Sequence, residues 1–292
     1  MTSRRGFIKS GGLALFGIGL MGGIPGFLAE AAAGDKWLAP YKKKKIMVCI
    51  FQRGAMDGLM AVTPFTDENL QAARPNLFMS AAKAGSGKPL IDLDGRYGMH
   101  PSMAAFEPLF KEKRLAIVHG IGSPNNTRSH FDAQDYMESG TPFNKGTSSG
   151  WLNRAVGLLG HDAITPFRAV SLTSSLPRSF YGDNPSVAIS SLQDFAIQMR
   201  GNPGGANMAA KSFEDLYEQT SSGLLKETGK ESFDAVKMLQ KTDVKNYRPA
   251  NNAVYPNSAL GSALKQIAQL IKMDVGLEVA FTESNGWETH FN

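Results

Sequence analysis

Cysteine is nearly absent from this chain: 292 residues contain one, Cys49. That excludes an intramolecular disulfide framework and any cysteine-based zinc cluster. A Gly-x-Ser-x-Gly elbow is missing too, which argues against an α/β-hydrolase. Neither a phosphate-loop lysine motif nor a dinucleotide fingerprint occurs. The 31 glycines follow no triplet period, and no internal repeat is visible. Charge of one sign is also scarce. The formal charge is +5, and Arg4, Arg5 and Lys9 against Glu30 account for +2 of it, leaving +3 for the rest. So mild an excess gives no case for nucleic acid or a membrane surface as partner. What the chain does have is 42% hydrophobic residues, too many for a disordered polymer, and length enough for one large domain or two small ones.

The N-terminus reads as an address. Ser3-Arg4-Arg5-Gly6-Phe7-Ile8-Lys9 has the form of a twin-arginine export motif, and an uncharged stretch rich in Gly, Leu and Ile runs from Ser10 to Ala29. Ala31-Ala32-Ala33 then offers the small-x-small pattern of a peptidase site. About 20 apolar residues are enough to span a bilayer, but the repeated glycines and Pro25 make a poor stable span. The reading is a removed signal over 1–33, a periplasmic or extracellular location, and no stable membrane span afterwards. Twin-arginine substrates generally cross folded, often with a metal or cofactor already inserted.

A linker over 34–45 ends in four lysines, read as the solvated lead-in to a strand rather than a site for an anionic partner. Ile46-Met47-Val48-Cys49-Ile50-Phe51 is apolar without alternation, which predicts a strand covered on both faces, as in a parallel sheet, with Cys49 a small buried hydrophobe. Leu115-Ala116-Ile117-Val118 predicts a second strand. It follows a helix predicted over 102–113, where Met103, Phe106, Leu109 and Phe110 share one face and Ser102 is the N-cap. Further helices are predicted over 129–138, 150–159, 208–220, 231–240 and 258–274, and strands over 169–172, 187–189 and 279–281. Alternating strands and helices define an α/β layered fold with a mostly parallel central sheet and helices on both faces. The domain is read over 46–292, with the more polar 201–257 as an insertion or lid.

In open parallel sheets ligand sites form at the carboxyl ends of strands. Three segments place polar residues there. Gln52-Arg53-Gly54-Ala55-Met56-Asp57-Gly58 follows the first strand, and Asp57-Gly58 also fits an ordinary turn. A stretch from His119 to His130 follows Val118 and ends at a helix start, where free N–H groups favour an anion and where Ser129 also fits an N-cap alone. Glu283 to His290 follows the last strand, and Glu288 and His290, two residues apart, point the same way in an extended segment and can grip one metal. His100 before Pro101 and His161 beside Asp162 read as turn residues without a role.

Taken together, Arg53-Gly54-Ala55-Met56-Asp57-Gly58-Leu59, Leu93-Asp94-Gly95-Arg96-Tyr97-Gly98-Met99-His100-Pro101, Thr127-Arg128-Ser129-His130-Phe131-Asp132-Ala133-Gln134-Asp135-Tyr136-Met137-Glu138 and Gly286-Trp287-Glu288-Thr289-His290 resemble the secreted twin-arginine family catalogued as domain of unknown function 1501. The resemblance runs in order along the chain, and the stretch from Thr127 to Gln134 is its most specific part. It implies a fold similar to the alkaline phosphatase and sulfatase superfamily, with divalent metal (zinc, calcium or manganese) at the strand ends. On this sequence it implies Asp57, Glu288 and His290 as metal ligands. Thr127 or Ser129 would be the nucleophile, with Arg128 and His130 holding an anionic group. The family more often has Asp-Thr-His where this chain has Glu288-Thr289-His290. It also continues through further motifs, so the resemblance implies a domain incomplete at its C-terminus, which a second chain would complete.

Two functions follow as expectations: a metal-dependent hydrolase of phosphate or sulfate esters, acting on an anionic small-molecule or polymer substrate, or a secreted binding or assembly protein that keeps the fold without efficient catalysis.

Overall fold

A computed structural model describes residues 45–81, 89–159, 165–192 and 247–287. The signal read over 1–33, the helices predicted over 208–220 and 231–240, His161, Glu288 and His290 lie outside the described residues. So do the linker before Lys45 and the segment 201–257 before Tyr247. The chain divides into two compact units, the first drawn from Met1–Gln52 and Ser123–Asn285, the second from Arg53–Gly122 and Gly286–Asn292.

In chain order the strands are β1 (Met47–Gln52), β2 (Val62–Pro64), β3 (Ile91–Asp92), β4 (Tyr97–Met99), β5 (Ala169–Ser171), β6 (Val187–Ala188) and β7 (Val279–Ser284). The α-helices are α1 (Gly58–Ala61), α2 (Glu68–Ala73), α3 (Glu107–Lys111), α4 (His130–Ser139), α5 (Trp151–Gly157) and α6 (Ala259–Lys272).

The first unit is built on a parallel sheet of order β1-β7-β5-β6, with Met47 opposite Val279 and Ala169 opposite Val279 on the other side. Its central strand β7 is buried from Val279 to Thr282, as an uninterrupted apolar run in a parallel sheet requires. Alternation then divides the core. Val279 and Phe281 join Ala169, Phe180 and the α5 residues Leu152 and Val156 in one cluster. Ala280 and Val170 join Ala263, Ile267 and Leu270 of α6 in another. Helices therefore cover both faces, as the sequence predicts. Each buried side chain of Phe281's kind contributes about 1.5–3 kcal/mol, and Phe281 also meets Phe180 edge to face at 6.2 Å. At the start of α5, Gly150 donates its N–H to Tyr181 O (2.8 Å). A Cβ there would lie 2.0 Å from Arg178 O, so only glycine fits.

The second unit has a three-stranded antiparallel sheet, β2-β4-β3. Strands of two and three residues carry no readable period, and the sequence gives no sign of this sheet. A hairpin joins β3 to β4. Asp92 Oδ1 accepts from the N–H of Asp94 and Gly95, Asp94 Oδ1 accepts from Arg96 and Tyr97, and Gly95 takes a φ of +79°.

Three expectations are corrected. β1 forms, but as an edge strand: Met47, Val48 and Ile50 are 37%, 38% and 47% exposed, because its outer side has no neighbouring strand among the described residues. Residues 115–118 make no strand. They alternate between half-buried and exposed, with Val118 63% exposed and no ladder partner. The helix predicted over 102–113 is instead a 3-10 segment, Pro101–Phe106, followed by the short α3, and its cap is His100, whose Nδ1 accepts from Ser102 N (3.2 Å). The helices predicted over 129–138, 150–159 and 258–274, and the strands over 169–172, 187–189 and 279–281, all form within a few residues of their expected bounds. Among the described residues no helix is long and apolar enough to cross a membrane.

Candidate functional site

The segment from Thr127 to Asp132, in the first unit, gathers the hydroxyls. Ser129 is extended (φ −84°, ψ 120°) and caps α4, its Oγ accepting from Asp132 N at 3.3 Å. The hydroxyl of Thr127 does something different. It accepts from Ser129 N (3.2 Å) and donates to Asp132 Oδ2 (3.3 Å). The other oxygen of Asp132 is held by the Lys145 ammonium. Lys145, first of all, draws the Asp132 carboxyl below its ordinary range, and Asp132 raises Lys145 in return. Asp132 therefore stays an ionised acceptor at neutral pH. The Lys145 cation also lies 5.9 Å from the centroid of the Tyr136 ring. Arg128 is exposed beside this group and His130 half-buried.

One turn further along α4, Asp135 pairs with Arg178 at 2.5 Å. Glu138 is buried and accepts from Ser179 N and Ser179 Oγ, both at 3.0 Å. Arg178 also donates to Lys145 O and Thr147 O. These contacts fix the face of α4 that carries Asp132. The sequence reading overlooked both Asp132 and Lys145. Ser129-His130-Phe131-Asp132 is a capping pattern that points to Asp132. Nothing local signals Lys145, thirteen residues on.

Asp57 belongs to the second unit. The chain reaches it through Gly54 (φ +98°) and Ala55 (φ +43°). A left-handed alanine costs about 1 kcal/mol, so this turn is held by its surroundings. Asp57 then caps α1, accepting at Oδ1 from Leu59 N (3.1 Å) and Met60 N (3.3 Å). Both its oxygens are also gripped by Arg74, Nη1 to Oδ1 at 3.1 Å and Nη2 to Oδ2 at 2.6 Å. The Arg74 hydrogen bonds, ahead of its charge, hold the Asp57 carboxyl below its usual range. Arg74 ends α2 and precedes Pro75, where a helix must stop. Trp287 N donates to Arg53 O (3.3 Å), so the first and last of the family-like motifs meet in this unit. Glu288 and His290, the next candidate ligands, lie outside the described residues. Among the described residues no three acidic, His or Cys side chains cluster to hold a metal.

Cys49 is half-buried on β1 against the Phe281 cluster, and burial pushes its thiol up to about 11. It remains a neutral thiol and a poor nucleophile at physiological pH.

No protein-family model, no curated protein and no solved structure matches the chain.

Proposed function

We propose that the chain is an exported hydrolase of phosphate or sulfate esters, related to the family of domain of unknown function 1501 and through it to the alkaline phosphatase and sulfatase superfamily. The observation that carries this reading is the chain Thr127 hydroxyl, Asp132 carboxylate, Lys145 ammonium at the start of α4. Of the two candidate hydroxyls, only Thr127 donates to a carboxylate among the described residues, whereas the Ser129 oxygen is occupied in capping. Thr127 is therefore the nucleophile.

In the step that follows, Thr127 Oγ1 bonds to phosphorus or sulfur as the bond to the leaving alcohol breaks, and water then attacks the same atom, breaking its bond to Thr127 Oγ1 and releasing phosphate or sulfate. The hydroxyl proton passes along its hydrogen bond to Asp132 and on to water, and the departing alkoxide takes a proton from solvent. A carboxylate held so firmly ionised is a weak base. Its larger contribution is to aim the oxygen, while Arg128, His130 and the first N–H groups of α4 offset charge on the transferred group. The resemblance also implies a divalent metal (zinc, calcium or manganese) at Glu288 and His290, which lie outside the described residues, and the step at Thr127 is not routed through it. Asp57 does not fit that role as it stands, because Arg74 already neutralises it.

Thr127→Ala and Ser129→Ala, assayed separately on an aryl phosphate and an aryl sulfate, test the reading. Thr127→Ala is expected to lower kcat by about 100-fold or more, and Ser129→Ala to keep most activity while losing about 1 kcal/mol of stability. If both variants match the wild type, the site is wrong. If the wild type hydrolyses neither ester, the second reading takes over: a binding or assembly protein of the same fold, favoured by the engagement of Asp57 and by β1, which has no outer neighbouring strand among the described residues.

A further inference from the structure

The carboxylate that the resemblance assigns to a metal already has a cation. Asp57 Oδ1 receives three donors, from Leu59 N, Met60 N and Arg74 Nη1, and Oδ2 receives Arg74 Nη2 at 2.6 Å. A carboxylate oxygen has two lone pairs to offer, so Oδ1 is saturated and only Oδ2 has a pair left. Zinc binds carboxylate oxygen at about 2.0–2.2 Å. Seated on Oδ2, such an ion would therefore stand no more than about 4.8 Å from the Arg74 nitrogen that is 2.6 Å from the same atom. A divalent ion and a guanidinium at that separation repel, and the fork of Arg74 cannot retreat without giving up both its bonds. Displacing it costs more than moving a surface lysine would, since the two planar groups meet edge to edge.

We infer that Arg74 is the resident cation of Asp57, standing where the resemblance calls for a metal and keeping divalent ions off this carboxylate. Asp57 works as a cap for α1 and as the counter-ion that ties the start of α1 to the end of α2. This goes beyond the proposed hydrolase and does not depend on it, because it concerns the second unit alone.

Titration of the full chain with manganese(II) alone, by calorimetry, tests the inference without reference to activity. Asp57→Asn keeps a competent N-cap, and it is expected to leave the manganese isotherm of the wild type unchanged. Arg74→Gln is expected to raise manganese affinity above that of the wild type, and the double variant to lose that gain. Arg74→Met repeats that arm if the Gln variant does not fold, as judged by far-UV circular dichroism. Two results would overturn the inference: a tenfold or larger loss of affinity in Asp57→Asn, or no gain in a folded Arg74 variant. Neither result bears on ester hydrolysis by Thr127, which is read from the aryl-ester assay.

Discussion

In the first unit β7 is buried from Val279 to Thr282, and hydrophobic clusters lie on both sides of it. In the second, β2, β3 and β4 together bury only Val62, Thr63, Gly98 and Met99. Carboxylates and one imidazole do the remaining work there: Asp57 and Asp67 cap α1 and α2, Asp92 and Asp94 shape the hairpin, and His100 caps the 3-10 segment. The first unit is held by area removed from water, the second largely by local hydrogen bonds to backbone. Area tolerates a change of pH and not a loss of volume. Capping carboxylates show the reverse sensitivity.

The largest break in that comparison is Phe281→Ala, which opens a cavity between α5 and the sheet. It is expected to cost about 3–5 kcal/mol, read from denaturant unfolding. A loss under 1 kcal/mol would mean that the cluster does not hold the unit.

Smaller and of a different kind is Asp57→Ala, expected to cost about 1–2 kcal/mol through the lost cap. Acid sharpens the point. The folded carboxyl is held below its ordinary value of 3.8, so its contribution is fully present above about pH 4 and is lost as pH falls further. The gap in Tm between wild type and Asp57→Asn, measured from pH 7 to pH 3, should therefore narrow below about pH 4. An equal gap at both ends would refute it.

Smallest in its effect on stability is modification of Cys49. With the thiol pushed up to about 11, its alkylation by iodoacetamide at pH 8 should run at least tenfold slower than that of an unburied thiol. Labelling at the free-thiol rate would show that β1 leaves the sheet readily.

Much of the first unit was legible in the residues, whereas the reading of one domain over 46–292 gave no hint of the second. The apolar runs at 46–51 and 279–281 and the four-three-four spacing of Leu260, Leu264, Ile267 and Ile271 produced β1, β7 and α6, because burial on that scale leaves a pattern. Leu115 to Val118 has the same composition as a strand and is not one. A ladder needs a partner, and four apolar residues do not specify theirs. The antiparallel sheet escaped notice since its strands are shorter than any period. At the candidate site, Thr127 and Ser129 stood out by type, and their different tasks did not. Those depend on Lys145, which reaches Asp132 from the loop after α4, and no spacing rule encodes that approach. Asp57 was singled out as a metal ligand after the first strand, and its partner here is Arg74 instead. Arg74, seventeen residues away, could be found only in three dimensions.

The open flank of β1 has a bearing on how the molecule behaves in a crowd. Val48 and Ile50 present hydrocarbon next to backbone groups that lack a neighbouring strand among the described residues, which is a template for copies to add one to the next. The four lysines at 42–45 stand directly before that template in the chain, and like charges brought together strand by strand repel. Neutralising those lysines, by acetylation or by a polyanion, is expected to raise turbidity at high protein concentration, read by light scattering.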